Sequence, residues 1–164
     1  MMKSATCCFS GHRNFPAYLE PIIRCRTENV IERLITERQV RYFGVGGALG
    51  YDTLAAGLLF EMRKRYPHIK VILVYPFDGF TSRWGEEERS IFANMLPMYD
   101  KRVCIAKKPS REAFLMRNRH LVDGSAYCVA YCTTDVGGTA YTLRYAKGKG
   151  LWIRNIANEV GETL

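Results

Sequence analysis

The residues of this sequence best suited to chemistry are those that hold anions. Arg13, in the stretch SGHR, offers a guanidinium that can grip a phosphate through two parallel N–H donors, and Ser10, Gly11 and His12 sit beside it. The hydroxyl of Ser10 and the ring of His12 can donate to a phosphate or a sugar. The plainer alternatives are a solvated surface arginine and a serine that caps a turn. Two glycine-rich stretches add to these. FGVGGALGYDTLAAG, residues 43–57, sets Gly46, Gly47 and Gly50 just ahead of an apolar helical pattern, and VGGTAYTLRYA sets Gly137, Gly138 and Thr139 ahead of another. In such loops backbone N–H groups can face a ligand while the helix N-terminus favours negative charge. The same glycines also suit a tight turn between a strand and a helix.

Other residues could complete a site. Asp52 stands at or near the start of a helix, where it either caps the free N–H groups or accepts a hydrogen bond from a ribose hydroxyl. Phe77 and Trp84 lie in the longest loop, and an aromatic there stacks on a base or packs against the neighbouring helix. Asn118 shares a helical stripe with Phe114, Leu115, Leu121 and Val122, so its amide needs a partner, either a neighbouring loop or a ligand. Arg117 and Arg119 point about 200° apart on a helix, so one of them reaches any given site.

The spacings exclude two common phosphate loops. The pattern around Gly46 is GxGGxxG rather than GxGxxG, and Asp78 is too far beyond it to serve as the ribose carboxylate of a dinucleotide fingerprint. GK[ST] is missing, so this is no P-loop. Six cysteines form no CxxC pair and three histidines are scattered, so buried free thiols are expected, with no metal and no cofactor.

The elements that must position these residues alternate regularly. Apolar runs at residues 5–11, 41–46, 70–76, 101–106, 126–132 and 151–155 have strand length, and stretches of helical periodicity separate them. KVILVYP is apolar nearly throughout, the mark of a strand covered on both faces. The expected fold class is α/β, a Rossmann-like, doubly wound, mainly parallel sheet of about five or six strands with helices on both faces. In such sheets ligands bind beyond the carboxyl ends of the strands, where the strand order reverses. The loops SGHRNF, GVGGALGYD, PFDGFTSRWGEEE, AKKPS and TTDVGGT all fall on that side.

Composition agrees with this reading. The chain has 164 residues, 48% of them hydrophobic and 24% charged, which suits one domain over residues 1–164. No apolar run is long enough to span a membrane and the N-terminus has no signal-peptide pattern, so a soluble, cytoplasmic protein without membrane partners is expected. The formal charge of +8 favours an anionic partner.

The stretches SGHR, GGALGYDTLAAG, YPFDGFTSRW, MRNRHLVDGSAYCVAY and VGGTAYTLRYA, in this order, resemble the YpsA-like proteins of the SLOG superfamily. That superfamily includes the DNA-processing protein DprA and the LOG phosphoribohydrolases. The resemblance covers nearly the whole chain. It implies a Rossmann-like domain whose pocket accepts a nucleotide or nucleotide-derived ligand, as a sensor or a weak enzyme, and it leaves room for a homo-oligomer. LOG enzymes carry a PGGxGTxxE motif whose glutamate serves in hydrolysis of an N-glycosidic bond. Here the matching segment runs from Val136 to Arg144 with no carboxylate, and Arg117, Asn118 and Arg119 match the arginine-bearing helix only loosely. Hydrolysis would need Asp52, Asp78, Glu86 or Asp135 instead. Binding of nucleic acid in the manner of DprA is the other alternative, weighed lower because Lys and Arg are spread without one dense patch.

Overall fold

A computed structural model describes residues 2–161, with side chains up to residue 158. Six strands carry the architecture: β1 (Thr6–Gly11), β2 (Tyr42–Val45), β3 (Lys70–Tyr75), β4 (Lys101–Cys104), β5 (Tyr127–Tyr131) and β6 (Trp152–Asn155). Between and after them run the helices α1 (Glu20–Arg38), α2 (Tyr51–Met62), α3 (Glu86–Met95), α4 (Arg111–Asp123), α5 (Gly138–Gly148) and α6 (Ile156–Gly161). The strands pair in the order β4-β3-β2-β1-β5-β6, and every pair is parallel. This is the Rossmann-like α/β fold that the alternation predicts. Strand order reverses at β1, which lies between β2 and β5.

Local sequence explains the elements. Pro21 occupies the first turn of α1, where its missing N–H costs nothing, and Gln39 closes that helix in a left-handed conformation, with φ of 53°. Ser110 caps α4 by accepting the N–H of Ala113 at 3.1 Å. Thr27 on the inner face of α1 is fully buried, and its hydroxyl lies 2.9 Å from the equally buried hydroxyl of Tyr51. Helix α6 has no counterpart in the sequence pattern, whose last legible element is the strand before it.

Both faces of the sheet are covered. Alternation along β1 sends Cys7 and Phe9 to one side, against α1, α2 and Ile156, and Cys8 to the other, against Leu121 and Val122 of α4 and Ala146 of α5. Strand β3 buries Val71 to Val74 without interruption. Of the cysteines, Cys7, Cys8, Cys128 and Cys132 are buried free thiols, while Cys25 and Cys104 are exposed. Among the described residues no helix is long and apolar enough to cross a membrane.

Candidate functional site

The strand order makes β1 and β5 diverge in connection, so their outgoing loops part and leave a crevice at their carboxyl ends. A cavity of about 610 Å³ occupies that crevice. The β1 loop contributes Ser10, Gly11, His12 and Arg13, the β5 loop contributes Gly137, Gly138 and Thr139, and α2 and α4 contribute Asp52, Arg117 and Asn118. Most of the residues singled out in the sequence therefore meet in one place.

His12 ties the two loops together. Its Nε2 accepts the backbone N–H of Thr133 at 2.7 Å, and the Thr133 hydroxyl lies 3.1 Å from the same nitrogen. An accepting Nε2 requires a neutral ring with its proton on Nδ1, and burial lowers the His12 pKa in the same sense. The β5 loop is also held from below, where the Asn155 amide accepts the N–H of Cys132 at 3.1 Å and donates to its carbonyl at 2.9 Å.

Asp52 and Arg117 form the charged floor, and both are almost wholly buried, at 6% and 5% exposure. They face each other across Gly46: a Cβ there would lie 2.8 Å from Arg117 Nη1 and 2.9 Å from Asp52 Oδ2. Arg117 donates Nη1 to the Gly46 carbonyl and Nε to Asn118 Oδ1, the latter at 2.8 Å. Its guanidinium also lies 5.8 Å from the centre of the Phe114 ring. Asp52 Oδ2 accepts the N–H of Ala48 at 3.2 Å, whereas Oδ1 is shielded from solvent and has no hydrogen-bond partner among the described residues. Burial pushes the Asp52 carboxyl up, opposed first by Arg117, then by the N–H groups of Ala48 and Gly46 and by Arg13. Burial pulls the Arg117 guanidinium down, and Asp52 holds it up.

The opposite wall is an open helix N-terminus. Gly137 adopts φ of 97° ahead of α5, and a Cβ at Gly137 or Gly138 would meet no heavy atom within 4 Å among the described residues. The first-turn N–H groups at Gly138 and Thr139 have no partner within their own helix, and they carry the positive end of its dipole. Exposed Arg13 completes the positive surface from the β1 side.

The structure separates the remaining candidates. Gly47 and Gly50 line a different groove of about 370 Å³, between α2 and α3. Each also meets a steric need. Gly50 has φ of 77°, and a Cβ on it would fall 2.2 Å from the carbonyl oxygen of Arg13. Gly47, with φ of 72°, would bring a Cβ within 2.8 Å of Leu73. This loop therefore packs the β1 loop against α2, and its amides face inward: the N–H of Ala48 goes to Asp52, and Tyr51 N–H goes to the His12 carbonyl at 3.1 Å. Phe77 and Trp84 line a second cavity of about 640 Å³ that adjoins the first. Arg117 rather than Asn118 is the buried polar residue of α4, and Arg119 turns away to donate to the Tyr141 hydroxyl at 2.7 Å. Of the four carboxylates weighed for hydrolysis, Asp52 lines the cavity. Asp78 accepts the Tyr75 hydroxyl at 3.0 Å, and Asp135 borders a separate depression behind the β5 loop. Sequence reasoning did not single out Thr133 or Phe114 as site residues. Thr133 had a signal, since it opens the loop after the fifth strand.

A Rossmann-like sheet with an anion-favouring crevice at its switch point defines the class to which comparison with known proteins can be applied. A model of the YpsA family, the YspA SLOG family, matches residues 10–150, and the chain belongs to that family. The prophage-derived protein YoqJ of Bacillus subtilis is 32% identical over 139 residues, which cover 75% of this chain and 81% of that protein. A UPF0398 protein of Bacillus cereus is 29% identical over 135 residues, covering 79% and 73%. Among solved structures, DNA processing protein A from Helicobacter pylori, studied for its single-stranded DNA binding mode, superposes with a TM-score of 0.63 at 17% identity, covering 98% of this chain and 73% of that one. DprA from Streptococcus pneumoniae gives 0.55 at 15% identity, covering 98% and 62%. At these identities the likeness to solved structures is one of fold.

Proposed function

We propose that this protein binds a nucleotide in the crevice between the β1 and β5 loops. The observation that carries this reading is the meeting of an open helix N-terminus, unpartnered among the described residues at Gly138 and Thr139, with Arg13 and the buried Asp52–Arg117 floor around one cavity of nucleotide size. A phosphate sits on the α5 amides, where backbone donors and the dipole favour it. Arg13 closes on it from the opposite loop. The ribose lies over Asp52, which lines the cavity, and Phe114 and Leu115 offer an apolar wall for the base. Membership of the family and the DprA-like fold support the location but do not select the nucleotide.

Isothermal titration with AMP and with adenosine, on the unmodified protein and on Arg13→Ala, tests this reading. AMP is expected to bind at least tenfold more tightly than adenosine, and Arg13→Ala to remove most of that difference, because a charge-assisted hydrogen bond is worth about 1.5–3 kcal/mol. Chromatography of the same samples shows whether base is released, which would mark N-glycosidic hydrolysis. Equal affinity for AMP and adenosine, or binding confined to single-stranded DNA with a steep salt dependence, would refute the nucleotide site.

A further inference from the structure

The cavity beside the proposed nucleotide site has no part in that reading, yet the two adjoin. Both are lined by Arg13, Ala48, Phe114 and Arg117, so these residues stand at the waist where the two cavities meet. The second cavity is as large as the first, at about 640 Å³ against about 610 Å³. Its chemistry is aromatic and cationic. Phe77 packs edge-on against Phe114, with ring centres 5.4 Å apart, and Trp84 packs against Phe80 at 5.5 Å. Exposed Arg83 and Arg111 border the cavity, and neither forms an ion pair among the described residues. Its one carboxylate, Asp78, is occupied by the Tyr75 hydroxyl.

The loop that carries these aromatics is a set structure. Phe80 N–H donates to the Phe77 carbonyl at 3.3 Å, Ser82 N–H to Gly79 at 3.0 Å and Trp84 N–H to Thr81 at 2.9 Å. Phe80 is wedged between Tyr75, Trp84 and Phe92. A preformed aromatic wall beside unpaired guanidiniums suits a base and its phosphate. A mononucleotide held at the α5 N-terminus would leave this whole surface unused.

We propose that the two cavities form one elongated site for a dinucleotide, meaning two nucleoside units joined through phosphate. This rests on the nucleotide reading of the first cavity and extends it. The first unit occupies the switch-point crevice, the linking phosphate lies at the waist beside Arg13, and the second unit enters the cavity of Phe77 and Trp84 with Arg83 and Arg111 at its rim.

The test is titration calorimetry with three probes, AMP, NAD and the 5′-phosphorylated dinucleotide pApA, on the unmodified protein, on Phe77→Ala and on the double variant Arg83→Ala/Arg111→Ala. NAD or pApA is expected to bind roughly tenfold or more tightly than AMP, the gain that one base–aromatic stack supplies. Whichever probe wins identifies the linkage. In both variants the ratio of dinucleotide to AMP affinity is expected to fall towards one, and because Arg83 and Arg111 are exposed, the double variant reports this without a folding defect. If AMP binds and neither dinucleotide exceeds it, the elongated site is overturned while the nucleotide reading stands. A gain that survives in both variants overturns the elongated site equally. If none of the three probes binds at millimolar concentration, the nucleotide reading fails and the dinucleotide site with it.

Discussion

Replacing Arg117 with methionine tests whether the floor of the crevice is an electrostatic unit. The substitution keeps most of the buried stem and removes the cation that faces Asp52 across Gly46. Removing one member of a buried charge pair costs about 3–5 kcal/mol. Asp52 and Arg117 share no direct hydrogen bond among the described residues, where Arg117 donates to the Gly46 carbonyl and to Asn118, so the lower end applies, about 3 kcal/mol at neutral pH. For a chain of this size that lowers Tm by about 6–12 °C. The loss must also depend on pH. Burial holds the folded Asp52 pKa above its ordinary value of 3.8, so between those two values the folded protein binds more protons than the unfolded chain, and stability falls as pH rises through that window. Arg117 is the largest influence opposing this rise. Without it the window extends to higher pH, and the variant loses more at pH 7.5 than at pH 4.5. Urea denaturation at both pH values measures the difference. Adding Asp52→Asn to Arg117→Met should recover part of the stability at pH 7.5, because no anion is then stranded. Equal losses at the two pH values, with no recovery in the double variant, would refute a coupling between these groups.

Three further outcomes follow from the same geometry. Gly11→Ala should destabilise the protein by about 1–3 kcal/mol or more, because its Cβ would fall 2.4 Å from Tyr51 Cβ, beside a fixed backbone; Gly138→Ala, opening into free space, should leave Tm nearly unchanged. The His12 ring should titrate below 6.5 by NMR, because burial lowers its pKa and the Thr133 N–H needs an accepting Nε2. Its contribution to stability is then present above 6.5 and lost as pH falls through that value towards the folded pKa, and His12→Ala should abolish this acid-side slope in thermal denaturation. Gly50→Ala should impair folding rather than ligand affinity, since its φ of 77° and the Arg13 carbonyl at 2.2 Å leave no place for a side chain.

Strand periodicity and the side of the sheet on which loops emerge were legible in the sequence because both follow from local pattern. KVILVYP reads as a strand covered on both faces, and β3 is one. The loops carrying Arg13 and Gly137 had to leave from carboxyl ends, and the structure brings them to one crevice. Depth and direction were not legible. Spacing marks the stripe of α4 but cannot tell Asn118 from Arg117, because what holds this guanidinium inside is the Gly46 carbonyl and the Asp52 carboxylate, from a segment distant in sequence. The glycines of residues 44–50 illustrate the same limit. Glycine marks either a ligand-facing backbone or a close approach of chain to chain, and the distances from Gly46, Gly47 and Gly50 to their neighbours show the close approach. Phe77 and Trp84 were placed in the loop beyond the carboxyl end of β3, where the structure has them, yet which cavity they line depends on the fold of that loop.

The most direct test of the central claim is a titration of the isotope-labelled protein with AMP, followed through its backbone amide NMR signals. The account predicts that the largest shifts fall on Gly11 to Arg13 and on Gly138 and Thr139, with smaller ones at Asp52 and Arg117. Shifts confined to other surfaces, or none at millimolar AMP, would contradict it.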